Sequence, residues 1–280
     1  MTDFSKFLIA SDLDGTFIAE GKPVARNLAA LKRFRAGGGI FTLATGRSHL
    51  NLRSAIGEPV RVVNAPVICN NGAYLHDFSS GADLQRDLLS AADAKALLAF
   101  AKERFPHVRF SAVGISSIRS EENAGCVARD MPTYDKGTVC ISQADTWPLD
   151  DWYKVLFLDD DPALLQTICE ALTLQFGARF SPTRSSTWIL EIQRPGVNKA
   201  LGIRKLKKHL DSTPSRTVIA CGDFDNDVAM LQAADVAVCP ANAREPVKAC
   251  AHHVLCHCRE GLIADVIESI ESGRIRPAQR

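Results

Sequence analysis

Five short runs of apolar residues break off abruptly into small or polar ones: FLIA before Ser11-Asp12, IFTLA before Thr45-Gly46, PVIC before Asn70-Asn71, TVIAC before Gly222-Asp223 and VAVC before Pro240. Apolar positions within each run are consecutive rather than alternating, the pattern of strands buried on both faces of a parallel sheet. Segments of helical period lie between them. Pro23 to Ala36 carries Leu28, Leu31 and Phe34 along one side and stops at Gly37, and Asn198 to Leu210 carries Ile203, Leu206 and Leu210. Strand and helix therefore alternate, which predicts an α/β fold with a Rossmann-like, doubly wound parallel sheet core.

The middle of the chain has another rhythm. Ser90 and Asp93 predict a capped helix holding Leu97, Leu98 and Ala101. Val108 to Ile115, Lys154 to Leu158 and Trp188 to Ile192 read as strands, with a helix opened by Asp161-Pro162 between the last two. An inserted α+β domain over residues 84–190 is expected, leaving a discontinuous core of 1–83 and 191–280. The sequence has no internal repeat, and the tail after Gly273 is expected to be loosely held.

Composition narrows the partners. With 280 residues, 46% of them apolar, the chain can bury a substantial core, and a net charge of +1 points to neither a nucleic acid nor a membrane surface. The opening MTDFSKFLIASDLDGT turns from apolar residues to carboxylates too soon for a secretory signal or a membrane span, so a cytoplasmic location is the default expectation. Nine cysteines are read as reduced thiols, with Cys69, Cys140, Cys221 and Cys239 acting as small core residues. His252, His253, Cys256, His257 and Cys258 are of zinc-binding type, but their spacing matches no paired-ligand pattern, and a strand end and loop are expected there.

In an open parallel sheet, ligands bind where the strands end. Asp12, Asp14, Gly15 and Thr16 follow the first run, Thr45, Gly46 and Arg47 the second, and Gly222, Asp223, Asn226 and Asp227 the fourth. Four carboxylates at one sheet edge are costly without a cation, and a set of oxygen ligands suits Mg2+ better than zinc. A carboxylate nucleophile at Asp12 with an acid/base at Asp14 can transfer a phosphoryl group, while Lys199 and Thr45 can supply the cation and the hydroxyl that it needs. Singly, each feature has a plainer reading: Asp12 to Gly15 as turn chemistry, Lys199 as a solvated helix residue, and Arg204, Lys205, Lys207 and Lys208 as the wet face of that helix. Only the joint pattern carries weight. EF-hand spacing is excluded at both Asp-rich turns, and Gly37-Gly38-Gly39 lacks the residues of a nucleotide loop and reads as a helix stop.

The ordered set Asp12-Leu13-Asp14-Gly15-Thr16, Ala44-Thr45-Gly46-Arg47-Ser48, Asn71-Gly72-Ala73, Gly196-Val197-Asn198-Lys199 and Gly222-Asp223 with Asn226-Asp227 resembles the haloacid dehalogenase superfamily, specifically its Cof-type phosphatases with a large α/β cap. The resemblance implies Asp12 as nucleophile, Asp14 as acid/base, and Thr45 and Lys199 as phosphate holders. It implies magnesium held by Asp12, Asp223 and the Asp14 carbonyl, with Asp227 and Asn226 supporting metal, Lys199 or phosphate. It further implies that the insert is a cap choosing the substrate, a small phosphorylated metabolite such as a sugar phosphate or sugar-derived acid phosphate. Thr45, Gly46, Arg47, Asn71, Lys199 and Asn226 are the expected substrate-binding residues, with Arg119, Arg184 and Trp188 as further candidates in the cap. A sugar phosphomutase and a non-catalytic protein on the same fold are the alternatives, and a monomer or weak dimer is expected. The chain departs from the family at Ala251-His252-His253 and at His257, Cys258, Arg259 and Glu260, where Asp, Asn and an acidic pair are usual.

Overall fold

The computed structural model describes residues 2–121, 138–210 and 216–278. They fall into two compact units, one of 1–46, 55–84 and 198–280 and the other of 47–54 and 85–197.

A five-stranded parallel sheet forms the centre of the first unit, in the order His253–Leu255, Val236–Pro240, Thr217–Cys221, Phe7–Ser11, Ile40–Leu43. The Phe7–Ser11 and Thr217–Cys221 strands are buried at every position, as their unbroken apolar runs require. Register decides what emerges where. Ser11 lies level with Cys221 on one side and with Leu43 on the other, so Asp12, Gly222 and Ala44 leave the sheet at one height. Leu8, Ala10, Val218 and Ala220 share an apolar cluster with Ile203 and Leu206 of the Lys199–His209 helix. Gly202 lets that helix approach closely, since a Cβ there would lie 2.3 Å from Ile68 Cγ2. The Ala25–Ala36 and Leu262–Glu271 helices are joined by Asn27, whose amide donates to the Phe17 carbonyl while its Oδ1 accepts from Ala264 N–H.

Several expectations need correction. The third apolar run, Val67–Cys69, does not join the five-stranded sheet; it pairs antiparallel with Tyr74–Asp77, and among the described residues its ladder toward the parallel strands is limited to an Ala44–Ile68 bridge, while Ile68 packs with Leu8 and Ala10. Its neighbour in sequence is a tight turn at Asn70–Gly72, which returns the chain as a hairpin before a crossover can form. The first helix begins at Ala25 rather than Pro23, because Lys22–Pro23 pairs with Ile18–Ala19. Cys140 is exposed on an edge strand and is not a core residue. The tail is pinned: Ile275 is buried, and Ala278 N–H donates to Thr217 Oγ1.

The second unit holds a sheet ordered Val139–Ile141, Ile118–Ser120, Arg109–Gly114, Trp152–Leu158, Ile189–Gln193, Ser181–Ser186. The Ala91–Arg104 and Pro162–Phe176 helices contribute Leu97, Phe100, Leu165 and Ile168 to the same core as Phe110, Trp152, Phe157 and Leu190 of the sheet. Phe110 stacks on Trp147 and meets Phe157 edge-on, contacts worth about 0.5–1.5 kcal/mol each beyond their buried area. Ser90 caps the first of these helices by accepting from Asp93 N–H, and Asp161 caps the second from Ala163 N–H. The unit extends past Leu190 to Val197, because Ile189–Gln193 pairs on both sides within this sheet.

Gly72 has φ of 96°, and a Cβ on it would lie 2.1 Å from the Asn198 carbonyl oxygen. Gly72→Ala is expected to lower stability by about 1–3 kcal/mol, read as a reduced urea midpoint with an unchanged slope.

Candidate active site

The sheet edge assembles its side chains through backbone constraints. Asp12 N–H donates to the Cys221 carbonyl, extending the ladder one residue beyond the strand and fixing the direction of the Asp12 side chain. The chain then closes a tight turn in which Phe17 and Ile18 N–H both donate to the Leu13 carbonyl, with Gly15 at φ 79°. Thr45 is held on both sides, its N–H donating to the Ile68 carbonyl and its carbonyl accepting from Asn71 N–H. Asn198 caps the following helix from Leu201 N–H, which places Lys199 in the first helical turn.

Lys199 is fully buried between two carboxylates, its Nζ 2.5 Å from Asp12 Oδ1 and 2.6 Å from Asp227 Oδ1. Burial works against its charged form, but the charges of Asp12 and Asp227 outweigh this and hold the ammonium above the ordinary lysine value. A cation at a helix N-terminus is also disfavoured by the macrodipole, so this placement depends on those two partners. Asp227 is committed at both oxygens: Oδ1 to Lys199, and Oδ2 to the N–H groups of Asp223 and Phe224. It is thus the buckle between the lysine and the Asp223 turn.

Asp12, Asp223 and Asp227 bring one oxygen each within 4.8 Å of one another. Burial pushes the Asp12 carboxyl well above the ordinary carboxylate range despite Lys199. Burial and the Asp227 charge push Asp223 up to about 7, with the Thr16 hydrogen bond opposing them. Asp12 Oδ2 and Asp223 Oδ2 have no hydrogen-bonding partner among the described residues. Oxygen-only donors, excess negative charge and two open carboxylate oxygens fit a hard divalent cation. Asp14, by contrast, is exposed, so two carboxylates separated by one residue meet different surroundings.

Asn226 Nδ2 donates to Asn71 Oδ1 at 3.1 Å, tying the Asp225–Asp227 turn to the Asn70–Gly72 turn. Asn70 and Asn71 both take left-handed backbone, with φ of 49° and 51°. Gly46 is the last residue of its segment in the first unit, whereas Arg47 opens the segment that belongs to the second. In that unit Arg119 spends its guanidinium on a bidentate pair with Asp151 at 2.8 and 2.7 Å, and Arg184 donates to the Pro162 and Thr187 carbonyls. Trp188 packs against Val113, Ile118, Leu156 and Leu158. The His252 to Cys258 stretch forms the His253–Leu255 edge strand and a turn in which His257 Nδ1 accepts from Arg259 N–H.

Three contacts had no counterpart in the sequence reading. Thr16 Oγ1 donates to Asp223 Oδ1, Asn242 Nδ2 donates to the Gly15 carbonyl, and Arg244 N–H donates to the Asp223 carbonyl. Thr16 stood inside a noted motif, but nothing in spacing tells that its hydroxyl meets a residue 207 positions away.

A family model described as haloacid dehalogenase-like hydrolase matches residues 9–267. Among curated proteins, pyridoxal phosphate phosphatase YbhA of Escherichia coli is 27% identical over 263 residues, covering 89% of this chain and 92% of its own. The 5-amino-6-(5-phospho-D-ribitylamino)uracil phosphatase YbjI of Escherichia coli is 28% identical over 269 residues, covering 94% and 95%. The solved structure of a haloacid dehalogenase-like hydrolase from B. subtilis has the same fold, with a TM-score of 0.81 at 23% identity over 93% of this chain and 98% of that one. The chain belongs to the haloacid dehalogenase-like hydrolases, among their Cof-type phosphatases. Among the described residues no helix is long and apolar enough to cross a membrane.

Removing Lys199 leaves the Asp12 and Asp227 carboxylates without their shared cation. Lys199→Ala is expected to cost about 3–5 kcal/mol in metal-free buffer, measured by urea unfolding.

Proposed function

We propose that this protein is a magnesium-dependent phosphomonoester hydrolase that works through an aspartyl-phosphate on Asp12. The observation that carries the reading is the buried Asp12–Lys199–Asp227 arrangement beside Asp223. Asp12 has one oxygen tied to Lys199 and the other open, as a fixed nucleophile requires. Asp12, Asp223 and the Asp14 carbonyl would hold the cation, with Asp227 serving them through Lys199 and the Asp223 turn. Bound there, magnesium would neutralise carboxylates and phosphate together.

In the first half-reaction an Asp12 oxygen forms a bond to phosphorus, the ester P–O bond breaks, and Asp14 gives its proton to the departing alkoxide. In the second, Asp14 takes a proton from water, the water oxygen attacks phosphorus, and the Asp12–phosphorus bond breaks to free inorganic phosphate. Lys199 holds positive charge beside the transferring group throughout, and Thr45 and Gly46 offer hydrogen-bond donors to its oxygens. The exposure of Asp14 supports its part, since both leaving group and water must reach it.

For substrate we propose a small phosphorylated metabolite of the sugar phosphate or sugar-derived acid phosphate class. The two curated relatives support the wider class, because their names describe phosphate monoesters of a pyridoxal and of a ribityl chain. Arg47, Asn71 and Asn226 are the proposed substrate-side residues, and the second unit is proposed as the cap that selects the leaving group.

Phosphate release from a panel of sugar phosphates, ribityl phosphates and pyridoxal phosphate tests this directly. Release with magnesium, abolished by EDTA and reduced about 10³-fold or more in Asp12→Asn, is expected. Turnover that survives chelation, or that persists in Asp12→Asn, would sink the mechanism. A hydroxylamine-sensitive phosphoryl label on the wild-type protein, absent from Asp12→Asn, is the expected trace of the intermediate.

A further inference from the structure

Thr16 takes no part in the steps above, yet it is completely buried and its hydroxyl donates to Asp223 Oδ1 across 2.6 Å. The Asp223 main chain is already fixed, its N–H donating to Asp227 Oδ2 at 2.9 Å and its carbonyl accepting from Arg244 N–H at 3.1 Å. Rotation about the side-chain bonds is the freedom that remains, and the Thr16 hydroxyl removes it. The two carboxylate oxygens thereby become unequal: Oδ1 is engaged, and Oδ2 has no partner among the described residues. Gly15 completes the arrangement, because a Cβ there would lie 2.5 Å from Oδ2 and displace it.

We propose that Thr16 is a positioning residue that locks the Asp223 carboxylate with Oδ2 presented to the divalent cation. The inference rests on the magnesium reading given above. An oriented carboxylate binds a cation without first losing rotational freedom, and hydrogen-bonded supports of this kind are worth about 10–100-fold in metal affinity. A valine at position 16 keeps the shape of the side chain and deletes the donor, whereas a serine keeps the donor and deletes the methyl.

Isothermal titration of MgCl2 into the wild-type, Thr16→Val and Thr16→Ser proteins tests the assignment without any turnover. The expected result is a dissociation constant raised about 10-fold in Thr16→Val and unchanged within about 2-fold in Thr16→Ser. Wild-type affinity in a folded Thr16→Val protein would overturn the proposal. So would an equal loss in both variants, since it would assign the effect to packing of the methyl. Should Thr16→Val fail to show a cooperative melt, Thr16→Ala takes its place with the same expected weakening. A wild-type protein that binds no magnesium at all would overturn the underlying reading, a result distinct from the other two.

Discussion

A single lysine ammonium buried between two aspartates is the constraint around which the first unit is organised. Taking Lys199 and Asp227 wholly out of water costs several kcal/mol for each charge, and only close mutual contact offsets that loss. The contact demands that the start of one helix, the end of the first strand and the turn after the Thr217–Cys221 strand meet within hydrogen-bonding distance. Much of the surrounding geometry serves that demand. Gly202 lets the helix close on Ile68, Gly72 lets the Asn70–Gly72 turn pass the Asn198 carbonyl, and the level register of Ser11 with Cys221 sets Asp12 opposite the Asp223 turn. Chemistry and packing are therefore the same requirement at this edge of the sheet.

The trio also explains a division of labour among four carboxylates. Asp227 is engaged at both oxygens and acts as scaffold, Asp12 and Asp223 each keep one oxygen open among the described residues, and Asp14 is exposed. Identical side chains thus acquire different chemical parts from burial and hydrogen bonding alone. A sequence motif records which residues are acidic, but only the fold distributes the parts among them.

The runs FLIA, IFTLA, TVIAC and VAVC were legible as parallel strands because strands buried on both faces leave an unbroken apolar signature, and the polar residues at their ends marked the site. PVIC carries the same signature yet lies in a hairpin, since its fate was decided by the turn at Asn70–Gly72 and not by its own composition. The His253–Leu255 edge strand showed only as an expected strand end and loop, because half-exposed strands with histidines carry little apolar pattern. Helix caps at Ser90, Asp161 and Asn198 could be read from residue type, because capping is local. Thr16 on Asp223, Asn242 on Gly15 and Arg244 on Asp223 could not, because each joins residues brought together by topology. Arg119 shows the limit from the other side: a plausible ligand residue by type, it is already occupied by Asp151.

The central position of the Phe7–Ser11 strand has a consequence for how the protein is made. Its two neighbours are Ile40–Leu43, synthesised soon afterwards, and Thr217–Cys221, which leaves the ribosome only when most of the chain exists. The Asp12 segment is therefore synthesised well before Lys199, Asp223 and Asp227. A chain that stops short of Asn198 carries Asp12 without the ammonium that it contacts and without the neighbouring Asp223 and Asp227 carboxylates. The side chains of this sheet edge therefore meet only once Thr217–Cys221 has paired with Phe7–Ser11, so the order of elements along the chain makes a completed sheet the precondition for assembling the cluster.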